Sequence, residues 1–166
     1  SRLMGGSDEQ KTAASELEIL APVSGELVHL ENTNDPAFSS RAVGDGVAVV
    51  PQEGTVCAPV SGTVAALFPT EHALGIMSDD SSAQVMLHIG IDTVKLEGKG
   101  FHALVAQGDH VDVGQPLVEV DFDAVRAAGF DPTVFVIVCE RSENSTLREH
   151  ASGPVAVKEP VVWLSE

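Results

Sequence analysis

From about Leu17 onward the chain is a succession of short apolar runs broken by glycine. Candidate strands occupy residues 25–30, 46–50, 54–58, 62–68, 83–89, 111–120, 133–138 and 155–164. Val, Ile and Thr are frequent in these runs, and Gly, Pro, Asp and Ser punctuate them, the pattern of pleated segments joined by turns. Many short strands at close spacing predict an all-β sandwich or barrel. Helix signals are few. Residues 122–128 carry one, with Asp121 as N-cap and Gly129 as C-terminal stop. Residues 36–42 and 146–150 are each expected to form about one or two turns. Residues 1–15 are polar and aperiodic, which predicts a flexible tail, a linker from an upstream domain or a cloning remnant ahead of one domain over 16–166.

An internal echo refines the architecture. Ala21-Pro22-Val23-Ser24-Gly25 recurs as Ala58-Pro59-Val60-Ser61-Gly62, and Ser152-Gly153-Pro154-Val155 repeats it weakly. Proline cannot donate to a central ladder, so each Ala-Pro marks a strand start or edge, and the glycine that follows marks a tight turn. A repeated corner of this kind folds a small sheet over on itself. The segment 111–120, Val-Asp-Val-Gly-Gln-Pro-Leu-Val-Glu-Val, adds a turn like those of biotinyl and lipoyl domains. The expected fold is an antiparallel β-sandwich with barrel character, a barrel-sandwich hybrid built on a duplicated motif, with a few short helices.

Charge narrows the partners. Among 166 residues, 9 are Lys or Arg and 25 are Asp or Glu, a formal net charge of −16. Nucleic acid is excluded, because binding phosphate backbones needs clustered cations. A basic protein partner, or solubility alone, accounts for the acidic balance. Cys57 and Cys139 sit in apolar runs without metal-ligand spacing and read as small buried hydrophobes. There is no signal-peptide pattern and no apolar run near the roughly 20 residues that span a bilayer, so a cytoplasmic location is expected.

Two segments carry candidate chemistry. In Leu87-His88-Ile89-Gly90 and Glu71-His72-Ala73-Leu74, one histidine is set among apolar residues. A histidine on a strand and partly out of water has its proton affinity and tautomer set by its neighbours. Two such histidines on separate strands can face one another and share a reacting group, which points to phosphoryl transfer or metal binding. His29, His102, His110 and His150 lie at strand ends or turns and read as ordinary surface residues.

With these residues in view, the chain resembles enzyme IIA of the bacterial phosphoenolpyruvate–sugar phosphotransferase system, glucose class. Segments 21–28, 43–49, 58–64, 70–73, 88–94 and 98–101 carry the resemblance in order, from about Ile19 to Leu164. It implies a phosphocarrier that accepts a phosphoryl group from the histidine phosphocarrier protein HPr and passes it to a cysteine on the IIB domain of a sugar permease. The permease, not this domain, chooses the sugar. The resemblance implies phosphorylation of His88 on Nε2, with Nδ1–H held by the Gly90 carbonyl. It also implies that His72 donates to the phosphoryl oxygens, oriented through Nδ1 by Thr70. The implied docking rim comprises Phe38, Val43, Phe68, Leu74, Met86 and Ile89, with Asp92 placed to receive a basic partner side chain. Family members often carry phenylalanine at the positions of Leu74, Met86 and Ile89. Glu71 is acidic where the family has a small or amide residue, and strand alternation predicts that it points away from the site. The resemblance also allows regulatory binding of permeases or metabolic enzymes by the unphosphorylated form. It implies a monomer without cofactor, in which His72 and His88 could hold zinc weakly at a partner interface.

Two other classes compete. A zinc hydrolase of LytM-like architecture would use the His88/Asp92 spacing, but catalytic zinc needs three protein ligands and the chain lacks a His-x-His pair. A biotin or lipoyl carrier would need a lysine at a hairpin tip, and neither Lys95 nor Lys99 has the flanking residues.

Overall fold

The computed structural model describes residues 16–166; the expectation for residues 1–15 lies outside the described residues. The two Ala-Pro-Val-Ser-Gly segments perform the same turn. Strand β1 (Glu16–Leu20) enters the first corner, and β2 (Gly25–His29) leaves it to pair with β3 (Asp45–Pro51). Strand β4 (Thr55–Cys57) enters the second, and β5 (Gly62–Leu67) leaves it to pair with β6 (Ala73–Ser78). Reciprocal bonds clamp the corners together: Leu20 N–H donates to Pro59 O at 2.9 Å and Cys57 N–H to Pro22 O at 2.8 Å. A Cβ on Gly25 would stand 2.0 Å from the Val50 carbonyl oxygen, and one on Gly62 would stand 2.0 Å from that of Met77. Both glycines are therefore demanded by close backbone approach.

The remaining strands are β7 (Ala83–Ile89), β8 (Phe101–Ala103), β9 (His110–Val111), β10 (Pro116–Val120), β11 (Val134–Arg141), β12 (Thr146–Glu149), β13 (Gly153–Val155) and β14 (Pro160–Ser165). One eight-stranded sheet runs β13-β2-β3-β11-β7-β6-β5-β9, and two three-stranded sheets run β1-β14-β12 and β4-β10-β8. The paired strands are antiparallel. The large sheet is symmetric in order about its central β11–β7 pair, and backbone bonds at the two corners repeat in kind. Ala21 N–H donates to Glu159 O as Ala58 N–H donates to Gln115 O, both at 2.8 Å. The fold is thus an all-β sandwich built twice over from one motif.

Alternation along the two central strands sorts the molecule into two apolar regions. Val85, Leu87 and Ile89 of β7 and Val134, Val136 and Val138 of β11 enter the main core. Phe135 and Ile137 point to the opposite face, where Leu30, Ala48 and Phe38 cover them in a second, smaller cluster. Phe38 arrives on helix α1 (Pro36–Ser39), whose N-terminus is capped by Asp35 through a 2.9 Å bond from Ala37 N–H.

Several expectations shift. Helix α1 ends at Ser39 rather than residue 42, and α2 (Phe122–Ala127) forms as expected with the Asp121 side chain accepting Ala124 N–H at 3.0 Å. Residues 146–149 are strand β12, not a helical turn. There Leu147 packs on the core while Arg148 lies 4.9 Å over the Trp163 ring across the ladder. Those cross-strand contacts override a weak local helix signal. The runs 111–120 and 155–164 each contain a turn and yield two strands, and β1, β6 and β8 extend the strand set beyond the named runs.

Candidate functional site

His88 lies on β7, on the same face as Met86 and opposite Leu87 and Ile89; its lateral neighbours are Phe135 of β11 and Ala73 of β6. His72 is not on a strand. It ends the turn that leads into β6, and its carbonyl accepts Ile89 N–H at 2.7 Å, which continues the ladder by one residue. That register brings the two imidazoles edge to face, with ring centroids 5.0 Å apart at 84°. The turn depends on Glu71, which sits at φ 63° and donates its N–H to Phe68 O at 2.8 Å. The Glu71 side chain leaves the site and accepts Ala103 N–H on β8. It points away as expected, though a turn and not strand alternation directs it.

Each imidazole has one nitrogen engaged. His88 Nδ1 is 2.8 Å from the Gly90 carbonyl oxygen. A carbonyl only accepts, so Nδ1 carries the proton and Nε2 presents a lone pair. Gly90 itself has φ 82°, and a Cβ there would stand 2.4 Å from Thr93 Cγ2. The Gly90 N–H donates to Thr133 O at 2.8 Å, and buried Thr93 donates its hydroxyl to Ile89 O at 2.6 Å. His72 Nδ1 is 2.6 Å from Thr70 Oγ1. Burial, with a smaller effect from neighbouring His88, pushes the His72 imidazole down to about 4. Burial also lowers His88, against the opposing pull of the Gly90 bond and of Asp35 and Asp92. Both rings are neutral at pH 7.

Aromatic walls enclose the pair. Phe38 lies 5.2 Å from the His88 ring and stacks on Phe135 at 4.3 Å, while Phe68 meets His72 edge-on at 5.5 Å. Of the expected rim, Val43 and Phe68 are exposed, Met86 is half-buried, and Phe38 is a nearly buried cover. Leu74 and Ile89 do not belong to the rim. Both are fully buried in the main core, because each is adjacent in its strand to a residue on the site face and so points the other way. Asp92 is exposed beside the site at φ 62°. Phe135 and Asp35 were missed by sequence reasoning. Phe135 lies in an unbroken apolar run that gives no parity, whereas Asp35 before Pro36 carries a legible N-cap signal.

The other histidines stay apart from the pair. His29 contacts the His150 carbonyl at 3.0 Å, His110 contacts Asp79 at 3.0 Å, His150 contacts Glu159 at 3.1 Å, and His102 is exposed. No group of three or more His, Cys, Asp or Glu among the described residues is arranged to hold a metal ion. A groove of about 320 Å³ lined by Leu17, Leu20, Val60 and Val113 lies elsewhere and contains neither histidine. The arrangement thus offers one imidazole lone pair at a partly open position, a second neutral imidazole beside it, and an apolar surround able to exclude water.

Comparison with known proteins meets this geometry. Residues 17–144 match the family model of the phosphoenolpyruvate-dependent sugar phosphotransferase system, EIIA 1. A glucose-specific EIICBA component of Streptococcus pneumoniae is 41% identical over 144 residues, covering 87% of this chain and 20% of that protein. A β-glucoside-specific EIIBCA component of Bacillus subtilis is 40% identical over 161 residues, covering 96% of this chain and 26% of that protein. The chain therefore spans only about a fifth to a quarter of the length of these curated relatives. Among solved structures, glucose permease IIA from Mycoplasma capricolum superposes with a TM-score of 0.82 at 34% identity, covering 89% of this chain and 95% of that one.

Proposed function

The chain belongs to the EIIA 1 family of the phosphoenolpyruvate-dependent sugar phosphotransferase system, and on that premise we propose that it is a phosphocarrier acting through His88. The observation that carries this reading is the 2.8 Å bond from His88 Nδ1–H to the Gly90 carbonyl, which commits the lone pair to Nε2 of a half-buried ring. In the proposed step, His88 Nε2 attacks the phosphorus of phospho-HPr. The new N–P bond forms as the donor's N–P bond breaks, and the donor imidazole leaves with that electron pair. The phosphoryl group then passes to a cysteine thiolate of a IIB domain, and His88 Nε2 regains its lone pair. Such transfers depend on in-line positioning and charge stabilisation rather than on further covalent chemistry.

His72 supplies the charge stabilisation in this reading. The Thr70 hydroxyl donates to His72 Nδ1, leaving the His72 proton on Nε2 where it can bond phosphoryl oxygens. Exposed Phe68 and Val43 and half-buried Met86 form the surface that a partner protein covers, with Asp35 and Asp92 attracting its basic side chains. Relatives named for glucose and for β-glucosides match almost equally, in keeping with a sugar chosen by the permease. No described helix is long and apolar enough to cross a membrane; the proposed place of action is the cytoplasmic face of that permease. Regulatory partners would use the same apolar surface, and a phosphoryl group would displace them by adding about two charges to it. No cofactor enters the reading; a zinc ion at a partner interface would find two imidazoles here and take its other ligands from the partner.

The test is incubation with phosphoenolpyruvate, enzyme I and HPr, followed by peptide mass spectrometry beside a His88→Gln variant. One acid-labile phosphoryl group on the His88 peptide, absent from the variant, is expected. Normal phosphate yield on His88→Gln would defeat the assignment.

A further inference from the structure

Asp131, just ahead of β11, lies outside the chemistry described above but touches both of its supports. Its Oδ1 accepts the Thr133 N–H at 2.9 Å and the Thr133 hydroxyl at 2.5 Å. Its Oδ2 accepts Asn34 Nδ2–H at 3.0 Å. The first pair of bonds shapes the turn whose backbone grips the floor of the site. Within it, Thr133 O receives Gly90 N–H at 2.8 Å and Asp131 O receives Ile91 N–H at 2.9 Å. The peptide between those two anchors carries the Gly90 carbonyl that fixes the His88 tautomer. The other bond reaches the cover. Asn34 precedes Asp35, the cap of α1, and α1 sets Phe38 against the His88 and Phe135 rings.

We propose that the Asp131 carboxylate is a positioning group that ties the Gly90 carbonyl beneath His88 to the Phe38 cover above it. The two links differ in kind. The Thr133 link is part-buried and local, whereas the Asn34 link is exposed and spans 97 residues of sequence. Burial pushes the Asp131 carboxyl up, but the hydrogen bonds from Thr133 and Asn34 outweigh it and hold the group below its usual value. It therefore stays ionised and accepts from both sides at neutral pH. An amide could serve in its place. Its oxygen would accept from Thr133, and its NH₂ would donate to an Asn34 flipped to present oxygen.

The experiment uses the whole chain and three variants: Asn34→Ala, Asp131→Ala and Asp131→Asn. Histidine ring ¹⁵N–¹H correlation spectra report the His88 tautomer, and ring-to-ring NOEs report the Phe38 contact. Both are read on unphosphorylated protein. Asn34→Ala is expected to weaken the Phe38–His88 NOEs while leaving the proton on Nδ1. Asp131→Ala is expected to lose both the NOEs and the single tautomer, and Asp131→Asn to restore them. The kinetic arm rests on the phosphocarrier reading. There Asn34→Ala raises KM for phospho-HPr with kcat nearly unchanged, and Asp131→Ala lowers kcat about tenfold. Unchanged ring resonances and NOEs in a folded Asp131→Ala would overturn the proposal. If that variant does not fold, unchanged NOEs in Asn34→Ala overturn it. Failure of the phosphocarrier reading would instead appear as no phosphate on any variant, including the parent chain.

Discussion

At the scale of single residues, the site rests on keeping two imidazoles neutral, with the His88 proton held on Nδ1 by the Gly90 carbonyl. Burial of His72, with a smaller effect from neighbouring His88, lowers its proton affinity from an ordinary 6.5 to about 4. The unfolded chain therefore binds a proton at His72 that the folded chain refuses. Stability from this residue is fully present above pH 6.5 and is lost as pH falls from 6.5 towards 4, on the order of 3 kcal/mol in all. An NMR titration should show no His72 ring titration between about pH 5.5 and 8. A midpoint near 6.5 would contradict the burial argument. The histidines were legible in the sequence from their apolar flanks. The rim was legible only in part, because His88 and Ile89 are consecutive on one strand and cannot share a face. Applying that parity to the sequence would have moved Ile89 to the core, whereas Leu74 needed the His72 turn and the β6 register to be known.

At the scale of elements, the two glycine corners decide whether the strands can meet. Their proline and glycine could be read directly as a corner, but the roles differ from the expectation: Pro22 and Pro59 lie in the bend between strands, and Gly25 and Gly62 open β2 and β5, with backbone carbonyls 2.0 Å from a would-be Cβ. Gly25→Ala and Gly62→Ala should each destabilise the fold by about 3 kcal/mol or more, measured by urea unfolding, since backbone and not a flexible side chain must yield. Equal costs are expected because the corners are equivalent; a near-neutral result at either would refute the close approach. Strand β12 was hidden for a different reason. Its four residues carry little local preference, and its state is settled by Trp163 and Leu164 of β14, which are remote in sequence.

At the scale of the whole molecule, duplication supplies two equivalent seats and only one holds the imidazole pair. Gly25 stands opposite Pro51 and Gly62 opposite Ser78, so Gly46 corresponds to Ala73 and Asp45 to His72. Ile137 faces Gly46 as His88 faces Ala73. The seat without imidazoles is filled by the cluster of Ile137, Phe135 and Phe38, and that cluster in turn walls the working site. Sequence repetition revealed the duplication, but not which half would carry the cover, because α1 lies in a segment with no counterpart motif. The net charge of −16 also acts at this scale. If a basic partner docks at the site, transfer under subsaturating donor should slow about tenfold between roughly 0.05 and 0.5 M salt. A salt-independent rate would remove electrostatic steering from the account.

The central claim concerns one atom, the Nε2 of His88. Uniformly ¹⁵N-labelled protein, phosphorylated through enzyme I and HPr, should show ³¹P coupling to His88 Nε2 while Nδ1 keeps its proton and its bond to Gly90. Coupling to Nδ1, or to a nitrogen of any other histidine, would contradict it.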